Sequence, residues 1–145
     1  MRNLLLRELA WLRWPTMALI GLAAILAVDA KADHSVEEVT NTVTAVTVKR
    51  ILDAGENLIL IDLRPEMEFR KKRLPHAHSI PSDEMETRLP EIPKFGRVVL
   101  YCACRVQEIV EKANALRRLG YRNVAAMPEG YPGWLRLGYP VEESP

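Results

Sequence analysis

The chain has 145 residues, of which 48% are hydrophobic and 27% charged, and this is the composition of a single globular domain. The formal net charge is only +1, and no basic stripe interleaved with aromatic residues runs along the chain, which argues against a nucleic-acid partner. The two cysteines are too few for a four-ligand sulfur site, and the three histidines lack metal-ligand spacing. We therefore expect no metal site.

The N-terminal segment, residues 1–32, is predicted to be a signal peptide or an N-terminal membrane anchor. Arginines precede an uncharged stretch at residues 15–28, and Ala30-Lys31-Ala32 supplies an Ala-x-Ala ending before Asp33. The alternative is an uncleaved anchor through residues 14–28, although this stretch is shorter than the ~20 residues of a spanning helix. In both cases the remainder is expected to be exported, periplasmic or secreted, with inner-membrane attachment if the segment is retained.

Residues 33–42 are polar without a strong period and are predicted to be a linker, and residues 43–145 form the domain. Within it, strand-like and helix-like segments alternate, which predicts an α/β fold with a mainly parallel five-stranded sheet flanked by helices. The predicted strands are residues 44–46, 58–63, 79–81, 98–101 and 123–127. The predicted helices are residues 48–54 capped by Thr47, 65–72, 83–89 capped by Ser82, a long helix from Gln107, and a short helix after Pro128.

Cys102 stands at the end of the most apolar of these strands, Val98-Val99-Leu100-Tyr101, and a short polar loop follows it. In an open α/β sheet, ligands bind beyond the carboxyl ends of the strands, where the following helix aims its free N–H groups. A thiol placed there meets conditions that favour the thiolate. Cys102 is therefore the candidate catalytic residue.

Asp62 is the one polar residue in the apolar run of residues 58–63. A carboxylate at the end of a buried strand is costly unless it is paired, and Arg64 is the natural partner. We expect this pair to support the site rather than to take part in the chemistry.

The order of landmarks across residues 43–141 resembles the rhodanese-like sulfurtransferases. The resemblance is carried by Asp62-Leu63-Arg64 with Glu68-Phe69, by residues 72–81, by Val99-Leu100-Tyr101-Cys102, and by residues 129–134. It implies transfer of sulfane sulfur from a donor such as thiosulfate or a polysulfide to a thiol or cyanide, through a persulfide on Cys102. The partners implied are a small sulfur-donor anion and a thiol acceptor, and the implied chemistry requires no metal and no organic cofactor.

The active loop departs from the family pattern Cys-x-x-Gly-x-Arg-Ser. The substrate-binding loop expected here is Ala103, Cys104, Arg105, Val106 and Gln107, with no glycine and with its arginine two places early. In the family the backbone N–H groups of this loop cradle the sulfur, so part of the function survives a change of side chains. Arg105 must then supply the cation for an anionic donor against the opposing charge of Glu108.

Three interpretations of Cys104 are open: it is a small loop residue, a thiol that attacks the Cys102 persulfide, or the partner of Cys102 in a disulfide. A Cys-x-Cys ring is small, so such a disulfide would be labile. The alternative function is a non-catalytic module that binds a partner or senses redox state through Cys102 and Cys104. A cysteine-dependent phosphatase is disfavoured because Glu108 occupies the position of the arginine that would hold phosphate.

Overall fold

The structure, a computed structural model, describes residues 41–144. The predicted signal peptide or anchor and most of the predicted linker lie outside the described residues. No helix within residues 41–144 has both the length and the apolar character needed to cross a membrane.

Four strands, four α-helices and one short 3₁₀-helix make up the described residues. Strands and helices alternate along the chain, as predicted for an α/β fold. In chain order the elements are α1 (Ala45–Asp53), β1 (Ile59–Asp62), α2 (Glu66–Lys71), β2 (His78–Ser79), the 3₁₀-helix Leu89–Glu91, β3 (Val98–Tyr101), α3 (Val106–Arg118), β4 (Val124–Ala126) and α4 (Gly130–Arg136).

The sheet is parallel throughout, with strand order β2-β1-β3-β4. Strand β3 is central and fully buried, which accounts for its unbroken apolar sequence. Its register places Leu100 beside Ile61 of β1 and beside Ala126 of β4. Because all the strands run in one direction, their carboxyl ends share one edge of the sheet, and Cys102 follows β3 at that edge.

Each face of the sheet carries its own apolar layer, because side chains alternate across a strand. Ile61 and Leu100 point into the layer that contains Ile109 and Leu116 of α3. Leu60 and Tyr101 point into the opposite layer, which α1 and α4 complete with Ala45, Val48 and Trp134. The sheet edge that carries Cys102 is thus held between two packed layers.

The predicted edge strand at residues 44–46 is wrong, because α1 begins at Ala45. The Oγ1 of Thr44, not of Thr47, caps the helix and accepts the N–H of Thr47 at 3.2 Å. Pairing with β4 occurs just before it: Val43 donates its N–H to the Ala126 carbonyl at 2.9 Å, and only an isolated bridge forms at Thr42. The described residues therefore hold a four-stranded sheet.

The predicted helix at residues 83–89 is also absent. Residues 82–88 form successive turns, such as the bond from the Thr87 N–H to the Glu84 carbonyl at 3.1 Å, and the 3₁₀-helix Leu89–Glu91 follows. Pro90 lacks an N–H and sits in that 3₁₀-helix, so a regular α-helical ladder cannot continue through it. Met85 and Ile92 are instead buried against the sheet.

Candidate active site

Cys102 lies directly after β3, the strand flanked by β1 and β4 at the middle of the sheet. Its side chain is only 5% exposed. The loop that follows is short, since α3 already begins at Val106. The sulfur is therefore placed at the crevice edge of the sheet, next to the amino end of a 13-residue helix.

The backbone of Cys102 is fixed by the start of α4. The N–H of Tyr131 donates to the Cys102 carbonyl oxygen at 2.8 Å. Gly130 has a φ of +56°, and a Cβ at this position would lie 2.3 Å from the same oxygen. Position 130 therefore requires glycine for two reasons, the left-handed backbone and the approach to Cys102.

The loop after Cys102 folds back on the cysteine sulfur. The N–H of Cys104 donates to Cys102 Sγ at 3.1 Å, and the two sulfurs are joined as a disulfide with their Cα atoms 5.4 Å apart. Of the five predicted loop residues, Ala103, Cys104 and Arg105 precede α3, and Val106 and Gln107 lie in its first turn. All five are exposed. When the disulfide is reduced, a backbone N–H on Sγ together with the positive end of α3 favours negative charge on that sulfur.

Arg105 is the residue expected to supply a cation for an anionic donor, but its charge is already paired with that of Glu108. The guanidinium donates from Nε to Glu108 Oε1 at 2.8 Å, and the side chain is 83% exposed. Arg105 is the N-cap residue of α3 and makes no side-chain capping bond. A donor anion therefore meets a neutralised pair at this position.

A groove with a volume of about 600 Å³ opens at the two cysteines. Ionisable residues of both signs line it, so its charge is mixed. Its walls are Leu63, Ser82, Cys102, Cys104, Glu108, Glu111, Lys112, Ala115 and Arg118. Lys112 Nζ also donates to the Ser82 carbonyl across the groove at 3.3 Å.

Four groove residues, Ser82, Glu111, Lys112 and Arg118, were not predicted as site residues. The last three could have been found from their spacing in the sequence. The groove residues of α3 recur every three or four positions, as expected for one helix face: Glu108, Glu111, Lys112, Ala115 and Arg118. The missing information was which face of α3 is turned toward the groove.

Asp62 and Arg64 form a buried, bidentate ion pair. Arg64 Nη2 donates to Asp62 Oδ2 at 2.6 Å and Arg64 Nε donates to Oδ1 at 3.0 Å. Burial alone would lower the pKa of the Arg64 guanidinium, but the hydrogen bond and the charge of Asp62 outweigh it and raise that pKa above its ordinary value. The guanidinium is therefore a permanent buried cation.

Arg64 also connects the end of α2 to the start of α4. Its Nη2 donates to the Lys72 carbonyl at 2.7 Å, and its guanidinium carbon lies 3.7 Å from the centroid of the Tyr131 ring. Tyr131 is the residue whose N–H holds the Cys102 carbonyl. Because neither Asp62 nor Arg64 lines the groove, the pair supports Cys102 through Tyr131.

Tyr101, which lies near Asp62, makes a further structural hydrogen bond. Its hydroxyl accepts the N–H of Leu74 at 3.2 Å. Burial, and secondarily the nearby Asp62 carboxylate, raise the pKa of Tyr101 far above its ordinary value. Tyr101 therefore stays neutral and acts as a structural hydrogen-bonding group.

No group of three or more His, Cys, Asp or Glu side chains within the described residues is arranged to hold a metal ion.

The model of the rhodanese-like domain family matches residues 44–137, and the chain therefore belongs to this family. A sulfurtransferase of Allochromatium vinosum is 28% identical over 101 residues, which is 70% of this chain and 94% of that protein. An HTH-type transcriptional regulator of Mycobacterium tuberculosis is 30% identical over 103 residues, which is 71% of this chain but only 45% of the regulator.

Solved structures agree with the fold. A thiosulfate sulfurtransferase of Pseudomonas aeruginosa superposes with a TM-score of 0.62 at 29% identity, over 76% of this chain and 21% of that one. A rhodanese-related protein of Thermoplasma volcanium gives a TM-score of 0.62 at 20% identity, over 70% of this chain and 97% of its own. The predicted α/β architecture with a parallel sheet is thereby confirmed, with four strands in the described residues instead of five.

We predict that Gly130→Ala destabilises the domain by about 2–4 kcal/mol, because the new Cβ meets the Cys102 carbonyl in a left-handed backbone. The matched control is Gly138→Ala, where φ is +69° but nothing lies within 4 Å of a Cβ, and only about 1–2 kcal/mol should be lost. Urea unfolding of the two variants and the wild type measures both losses. Equal losses would show that the Cys102 contact adds nothing.

Proposed function

We propose that this chain is a sulfurtransferase that carries sulfane sulfur on Cys102, from thiosulfate or a polysulfide to a thiol or cyanide. The observation that carries the proposal is the placement of Cys102 Sγ on a groove at the carboxyl edge of the sheet, with the Cys104 N–H donating to that sulfur at 3.1 Å. Membership of the rhodanese-like family and the similarity to the A. vinosum sulfurtransferase support it.

The transfer requires the reduced form of the cysteine pair. The Cys102 thiolate attacks the outer sulfur of thiosulfate, the S–S bond of the donor breaks, and sulfite leaves with the bonding electrons. Cys102 is left as a persulfide. An acceptor thiolate or cyanide then takes the outer sulfur and returns Cys102 as a thiolate. The loop N–H assists both steps because Cys102 is a thiolate at the start of the first step and again at the end of the second.

We predict that the reduced Cys104→Ser protein, incubated with thiosulfate or a polysulfide, gains one sulfur, about 32 Da by intact mass spectrometry, on Cys102. The Cys104→Ser variant isolates this step because it cannot form the disulfide. The control is Cys102→Ser, which should gain no mass. A Cys104→Ser protein that gains no sulfur from any donor, or a Cys102→Ser protein that gains it equally, overturns the sulfurtransferase proposal.

The charge of the groove bears on which donor is used. Glu108 and Glu111 offset Lys112 and Arg118 along α3, and Arg105 is bonded to Glu108. The groove therefore gives a doubly charged donor such as thiosulfate little electrostatic attraction. A neutral trisulfide does not depend on such attraction.

We predict that Glu108→Gln raises the rate of persulfide formation from thiosulfate by about three- to tenfold, because it removes an opposing charge and frees Arg105 to hold the anion. Glu111→Gln, which removes a charge from the same groove without releasing Arg105, should give a smaller rise. Both variants should leave unchanged the rate at which the Cys102 thiolate reacts with an organic trisulfide. Stopped incubations read by mass spectrometry measure these rates, and an unchanged thiosulfate rate in Glu108→Gln would contradict the charge argument.

The second candidate function is a non-catalytic rhodanese-like module that binds a partner or senses redox state through the same cysteines. The observation that favours it is the disulfide between Cys102 and the exposed Cys104. Such a module would open and close the disulfide without accepting sulfur, and the mass measurement separates the two functions.

We further propose that the domain works outside the cytoplasm, after export by residues 1–32. The positive start, the apolar stretch and the Ala-x-Ala ending support this proposal. In an oxidising compartment the cysteine pair would need a dedicated reductant to act as a nucleophile.

N-terminal sequencing of the protein recovered from an export-competent host tests the cleavage. A chain that begins at Asp33 supports a signal peptide, and an intact chain in the membrane fraction supports an anchor. An intact chain in the cytosolic fraction would contradict export.

A further inference from the structure

The transfer described above does not use Cys104, although its sulfur is bonded to that of Cys102. The Cα atoms of the two residues are 5.4 Å apart, within the ~4.4–6.8 Å that disulfides ordinarily span. The loop therefore brings the sulfur of Cys104 to the sulfur of Cys102 without any movement of β3 or α3.

The two sulfurs differ in their access to solvent. Cys102 is buried against the layer that contains α3, whereas Cys104 is exposed on the loop. In a Cys102 persulfide the inner sulfur is therefore covered against external thiols. Cys104 is the thiol that the loop itself carries to this inner sulfur.

We propose that Cys104 is a resolving cysteine that attacks the Cys102 persulfide at its inner sulfur and releases sulfide. This inference rests on the proposed sulfurtransferase function. A new S–S bond forms between Cys104 and Cys102, and the bond between Cys102 Sγ and the outer sulfur breaks. The outer sulfur takes both bonding electrons and leaves as hydrosulfide with the proton that the Cys104 thiol gives up. Two thiols are thereby oxidised to the disulfide, and one sulfane sulfur is reduced to sulfide.

The cycle closes with an external dithiol as reductant. A dithiol attacks the exposed Cys104 sulfur, Cys102 leaves as the thiolate, and the second thiol of the reductant then frees Cys104. Departure of Cys102 is favoured because the N–H of Cys104 already donates to its sulfur. With thiosulfate as donor, one turn converts thiosulfate and a dithiol into sulfite, sulfide and a disulfide.

The test is a single turnover without added thiol. Wild type, Cys104→Ser and Cys104→Ala are reduced, freed of reductant under anaerobic conditions and mixed with thiosulfate, or with an inorganic polysulfide when only the mass is read. Intact mass and, with thiosulfate, released sulfide are then measured. Ala54→Ser, which changes an exposed residue at the end of α1 and keeps both cysteines and the active loop, serves as the matched control.

With thiosulfate we expect the wild type and Ala54→Ser to release about one sulfide per chain and to end about 2 Da below the reduced mass, as the disulfide. The two Cys104 variants should release none and should keep the added sulfur of about 32 Da. If the wild type instead keeps a stable persulfide and releases no sulfide, Cys104 is not a resolving cysteine, although the sulfurtransferase proposal stands. If the Cys104 variants take up no sulfur from either donor, the sulfurtransferase proposal itself fails.

Discussion

The geometry of the site depends on how the carbonyl of Cys102 is held. The N–H of Tyr131 donates to this oxygen, and Gly130 passes so close to it that no side chain fits between them. Because β4 leads directly into this contact, the position of Cys102 is set by the packing of the whole sheet rather than by the loop that follows it. Arg64 holds the Tyr131 ring from the other side and is itself fixed by Asp62. A buried ion pair that does not line the groove thus helps to hold Tyr131, and through it the carbonyl of Cys102.

This arrangement explains how the contacts around Cys102 can form although the loop lacks the glycine and the later arginine of the pattern Cys-x-x-Gly-x-Arg-Ser. The contact on the Cys102 sulfur comes from the backbone N–H of Cys104, and the following helix contributes its positive end; neither depends on a particular side chain. Side chains decide instead what approaches the sulfur. Here the Arg105 charge is paired with Glu108, and a second thiol takes a place beside the nucleophile.

Much of the fold could be predicted because the buried strands have unbroken apolar sequences and the strand-to-helix changes are sharp. β1 and β3 lie inside their predicted ranges, and the close placement of Asp62 with Arg64 followed from the cost of burying a lone carboxylate. The errors fall where local signals compete. Two threonines could each cap α1, and the upstream one does so, which replaces the predicted edge strand.

The prediction of the site was limited by tertiary packing. Cys102 could be placed at the end of a strand from sequence, whereas the groove residues on α3 depend on the rotation of that helix against the sheet. The role of Gly130 depends on a contact across 28 positions of the chain, between Gly130 and Cys102. No local pattern around residue 130 specifies that its neighbour in space is the carbonyl of Cys102.

We propose that Cys102 is the residue on which sulfur is carried. The most direct measurement uses Cys104→Ser with thiosulfate whose outer sulfur is a heavy isotope, followed by alkylation of the persulfide and peptide mapping. We expect the heavy sulfur on the peptide of β3, attached to Cys102. Heavy sulfur found on any other residue, or on none after the donor has been consumed, would contradict it.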